Sequence, residues 1–79
     1  MSTNYCEKAY LINDIKKDWE EIKENELFLR TLALALQVVF IDDLVELVNL
    51  MDNFYYHGMV DGKPVSDTYA FVVYLNKNY

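Results

Sequence analysis

The chain has 79 residues, 13 acidic and 7 basic, for a net charge of −6; 53% are hydrophobic and 15% aromatic. So much apolar content excludes a disordered chain, and one cysteine, Cys6, excludes a disulfide scaffold within the chain. The acidic balance argues against direct nucleic-acid binding, because carboxylates repel phosphates and release no counterions.

From the N-terminus, Met1 to Asn4 shows no basic stretch followed by an apolar run, so no signal peptide is expected. Tyr5, Ala9, Ile12, Ile15, Trp19 and Ile22 then recur at helical spacing, which predicts a first amphipathic helix. Asn4 followed by Glu7 three residues later resembles a capping box. Asp14, Asp18, Glu21 and Glu24 occupy the opposite face with Lys17, and Asn25 is a natural stop or N-cap.

The next segment is apolar almost all the way round. From Leu27 to Ile41, 12 of 15 residues are hydrophobic, interrupted by Arg30, Thr31 and Gln37. It is too short and too interrupted to cross a bilayer, which takes about 20 apolar residues. Its Leu and Ala content predicts a helix over 26–41. Asp43, with Glu46 three residues on, starts a further helix that runs to His57 and stops at Gly58. Val60-Asp61-Gly62-Lys63-Pro64 is turn chemistry.

Beyond that turn two readings stay open. Ser66 or Asp67 caps a last helix over 68–77, or Tyr69, Phe71, Val72, Val73 and Tyr74 pair with 54–60 as a hairpin. The expected fold is therefore mainly α, one small acidic helical domain over 1–79 with three to four helices. The alternative is α+β, with helices packed on a C-terminal β-hairpin.

Binding features outweigh chemical ones. A helix apolar on every side needs neighbours on every side, so Leu29, Ala33, Leu36 and Phe40 are candidates for an uncovered strip that pairs with a second copy. Seven tyrosines invite interface roles, and Tyr55 and Tyr56 cannot both face inward from one helix. Residues 1–26 carry seven acids and four bases, and residues 27–60 four acids and one base. The second stretch is less diluted, so Asp42, Asp43 and Glu46 join Tyr55 and Tyr56 as candidate partner-binding residues that would steer a basic protein. Asp14, Asp18 and Glu21, spaced by about one helical turn, could imitate a row of phosphates.

One histidine, His57, and one cysteine about 50 positions away give no nucleophile–base spacing, and two glycines make no phosphate loop. A semi-buried thiol is the expectation for Cys6. No catalytic residue, metal ligand or cofactor is expected. The carboxylates at 42, 43 and 46 are read as cap and dipole partners. Asn, Lys, Ile, Tyr and Phe supply 28 of the 79 residues, as an AT-rich coding sequence would. The expectation is a cytoplasmic, non-enzymatic inhibitor or modulator from a virus or mobile element, which occludes a functional surface of a larger protein, for example a basic, nucleic-acid-binding one. The alternative is a homodimeric assembly module.

Overall fold

Helix formation follows the apolar periodicity, and the side chains at the helix ends fix most of the boundaries. The computed structural model describes residues 5–79, so Asn4 of the expected capping box lies outside the described residues. Helix α1 spans Tyr5–Ile15, continues through a 3₁₀ turn at Lys16–Asp18, and resumes as the single turn α2, Trp19–Ile22. The tighter turn interrupts the α-helical hydrogen-bond ladder between them. Ile12, Ile15 and Trp19 are buried along this segment, as the spacing requires. The turn also interrupts the carboxylate row at 14, 18 and 21, which no longer lies on one continuous helix.

Helix α3, Glu26–Leu36, begins where the Asn25 side chain accepts a hydrogen bond from Phe28 N–H at 3.1 Å. It ends five residues before the expected Ile41. Gln37 adopts a left-handed conformation, φ 58°, and its N–H donates to the Leu34 carbonyl while Val38 N–H donates to that of Ala33. This is a Schellman stop made with glutamine in place of glycine.

Helix α4, Leu44–His57, starts on the Asp43 carboxylate, which accepts from Val45 N–H at 2.9 Å, and stops at Gly58 with φ 61°. Strands β1, Met59–Val60, and β2, Lys63–Pro64, then pair antiparallel across Asp61-Gly62. Both turn residues have positive φ, 54° and 80°, as a type I′ turn demands. The hairpin is thus two residues deep, and the strand-prone run 69–74 belongs instead to helix α5, Thr68–Asn78, capped by Asp67 on Tyr69 N–H. The outcome is a mainly helical domain with a minimal hairpin.

The core draws on every helix. Leu29, Leu32 and Leu36 of α3 meet Leu47, Met51 and Phe54 of α4, while Phe71, Val72 and Leu75 of α5 fill the space against α1. Phe54 and Phe71 stack with centroids 4.3 Å apart, and Trp19 meets Tyr55 edge-on at 5.5 Å. Trp19 Nε1 donates to Asp52 at 2.6 Å, which satisfies the indole at the edge of this cluster.

One charged residue joins the interior. Lys8 is 1% exposed, and its ammonium donates to Gln37 Oε1 at 2.8 Å and Asn76 Oδ1 at 2.7 Å. It ties α1 to the end of α3 and to α5. Both acceptors are neutral amides, and burial pulls the Lys8 pKa below its ordinary value.

Candidate interaction surface

The early stop of α3 leaves an open apolar region between α3 and the start of α4. Because Leu29, Leu32 and Leu36 turn inward, Leu27 and Leu34, seven residues apart, project outward. After Gln37 the chain buries Val38 but leaves Val39 and Phe40 in solvent, and Val45 does the same on the first turn of α4. Leu34, Val39 and Val45 are 79%, 75% and 62% exposed, and all three border one groove of about 1110 Å³ between α3 and α4. Half-buried Ala33, Ile41, Leu44 and Val48 form its floor.

The groove's ionic rim is lopsided. Arg30 Nη2 pairs with Glu26 at 2.7 Å, and Lys23 pairs with Glu20 at 3.2 Å and Asp52 at 3.6 Å. Those two are the basic residues lining the groove, against Glu24, Glu26, Asp42 and Asp43. The hydrogen bond to Glu20 raises the Lys23 pKa and keeps it charged. Glu24 and Asp42 enter no ion pair among the described residues.

The candidate residues read from the sequence are dispersed. Asp42 and Asp43 line the groove. Glu46 is exposed and faces the Tyr79 phenol, whose pKa is raised first by burial and then by its hydrogen bond to Glu46. Tyr55 is buried with its hydroxyl donating to the Ile12 carbonyl, which removes it from any partner surface. Tyr56 is the exposed member of that pair. Its hydroxyl donates to Glu20 and its ring lies 5.8 Å from the Lys23 ammonium, so it stands beside the groove rather than inside it.

The proposed self-association strip is not one surface. Leu29 and Leu36 are in the core, because they share the inward face of α3 with Leu32. Ala33 is half-buried in the groove, and Phe40 is exposed on the loop, where its N–H donates to the Tyr79 carbonyl at 2.7 Å. Cys6 is exposed, not semi-buried. It borders a second, shallower cleft of about 410 Å³ between α1 and α5, with Tyr10 and Tyr69 at its edges.

Leu34, Val39 and Val45 were not singled out from the sequence. The spacing of Leu27 and Leu34 opposite Leu32 and Leu36 was the available signal for α3. Val39 had none, since the segment read as helix. Among the described residues no group of three His, Cys, Asp or Glu side chains could hold a metal ion, and no helix is long and apolar enough to cross a membrane. No protein-family model, curated protein or solved structure matches the chain.

Proposed function

We propose that the chain is a non-enzymatic protein-interaction module that docks a larger protein on the α3–α4 groove and blocks a functional surface of it. The observation that carries this reading is the convergence of Leu34, Val39 and Val45, each well over half exposed, on one open groove with an acidic rim. Exposed apolar side chains gathered in one concave region are costly in water and gain when a partner covers them. The carboxylates at Glu24, Asp42 and Asp43 suit a basic partner and would speed encounter with it. A small acidic inhibitor of a nucleic-acid-binding protein, from a virus or mobile element in a cytoplasmic setting, fits this chemistry. No cofactor enters it.

The test is a paired capture experiment with tagged wild type and the Leu34→Glu, Val39→Glu double variant. Both positions are solvent-exposed, so the variant should keep the wild-type circular dichroism spectrum. Wild type should retain one stoichiometric partner at low salt, weakened at high salt, and should reduce that partner's activity; the variant should do neither. Equal capture by both would remove the groove from the proposal.

A homodimeric assembly module is the second reading, supported by exposed Phe40 and Leu27 beside the groove residues. Light scattering on the same two proteins separates the readings. A wild-type dimer that becomes a monomer in the variant would favour self-assembly.

A further inference from the structure

We propose that the groove takes a single amphipathic helix of the partner, apolar on one face and flanked by lysine or arginine. The inference rests on the reading above that the α3–α4 groove is the docking face. Charge selects the flanks. Arg30 and Glu26 neutralise each other, and Lys23 is held by Glu20 and Asp52. Glu24 and Asp42 remain without an ion pair among the described residues, and Asp43 uses one carboxylate oxygen on the α4 cap. What faces an incoming partner is apolar area with a net negative rim.

The same charge disfavours a second copy as occupant. A two-fold contact sets the same patch of each copy against the other, so acidic rims and two chains of −6 would be brought together. A basic partner relieves that repulsion.

Backbone chemistry selects the helix. The groove is lined by α3, the first five residues of α4 and the loop 37–43 between them. Interior amides and carbonyls of the two helices are bonded within each helix, Gln37 and Val38 N–H bond back to α3, and the strands β1 and β2 do not line it. An extended segment laid on this apolar floor would bury its own N–H and C=O groups with few partners. A helix satisfies its backbone internally and offers only side chains. Length agrees: the stretch of α3 that lines the groove, Glu26 to Leu34, gives a wall of about 13 Å at the usual rise. About two and a half turns of a docked helix span that wall, with apolar anchors at i, i+3 or i+4, and i+7 on its inward face.

The probes are three fluorescent peptides titrated with the full chain and read by anisotropy. One carries leucines at helical spacing with lysine flanks, one has glutamate flanks instead, and one keeps the first composition with leucines alternating. The first should bind at least about tenfold tighter than the others, weaken with salt, and gain helicity on binding. Glu24→Gln with Asp42→Asn should close the gap between the lysine- and glutamate-flanked peptides. Val39→Glu should abolish binding although it adds negative charge, which separates docking from loose attraction.

Equal affinity for the alternating peptide, or no binding by any of the three, would overturn the helix inference. The groove reading falls separately, only if the Leu34→Glu, Val39→Glu chain still captures its partner. A groove-dependent dimer of the wild type would show that a second copy is the occupant and would also overturn the inference.

Discussion

Replacing Lys8 with methionine removes a buried charge while keeping the length of its side chain. Two effects oppose each other. The ammonium's bonds to Gln37 and Asn76 are lost, each contributing about 1.5–3 kcal/mol as a charge-assisted bond. Yet the ammonium no longer has to leave water, which costs several kcal/mol. The acceptors are not stranded, because Gln37 is exposed and Asn76 half-buried, so water can reach them. The expected change for Lys8→Met at neutral pH is therefore within about 1 kcal/mol. Lys8→Ala leaves a cavity as well and should cost about 2–4 kcal/mol.

The pH dependence discriminates further. Burial lowers the Lys8 pKa in the folded chain below 10.5. Between the folded and unfolded values the unfolded chain holds a proton that the folded chain has released, so stability rises with pH there, by at most about 1.4 kcal/mol per unit. Tyrosine titration is common to both proteins and cancels in the difference. Urea unfolding followed by circular dichroism should show wild type gaining on Lys8→Met as pH climbs toward about 10. If wild type loses ground to Lys8→Met over that range, the fold favours the charged lysine and the reasoning is refuted.

Three other outcomes are expected. Gln37→Gly relieves a left-handed non-glycine residue, worth about 1 kcal/mol, but removes an acceptor from Lys8; it should destabilise wild type slightly and stabilise the Lys8→Met background, as a double-mutant cycle in urea would show. Tyr55→Phe should cost about 1 kcal/mol at neutral pH through its lost bond to the Ile12 carbonyl. Burial raises the Tyr55 pKa above 10.0, so this stabilisation is present below pH 10 and is lost as the unfolded chain's phenol ionises above it. Thermal melts through that range should fall less steeply for the variant. Phe71→Ala empties the centre of the core, where Phe71 stacks on Phe54, and should cost about 3–5 kcal/mol, seen as a large drop in the urea midpoint.

How legible these features were depends on whether the deciding forces are local. The bounds of α4 were readable because Asp43 and Gly58 act within one turn of themselves. Helix α5 was ambiguous because Tyr69, Val72, Val73 and Tyr74 suit strands. The Asp67 cap and the burial of Phe71, Val72 and Leu75 on one helical face settle it. The stop at Gln37 was invisible, since glutamine carries no left-handed preference and its anchor, Lys8, lies 29 positions away. Lys8 itself left a trace: it falls on the stripe of Tyr5, Ala9, Ile12 and Ile15, where a solvated lysine does not belong. In α3, a segment apolar all round permits any strip to face outward, and only packing against α4 and α5 sends Leu29 and Leu36 in and Leu34 out. Choosing Tyr56 over Tyr55 as the exposed tyrosine needed the same tertiary information.

The groove is tested most directly by photo-crosslinking from chosen positions. A benzophenone side chain is placed at Leu34, at Val45, or at Tyr10 on the smaller α1–α5 cleft, all exposed positions. Each chain is then irradiated with the partner captured by wild type. Crosslinks from positions 34 and 45 to one basic helical stretch of that partner, with none from position 10, are the predicted result. Crosslinks from position 10 alone would place the interface on the α1–α5 cleft and contradict the groove as the docking face.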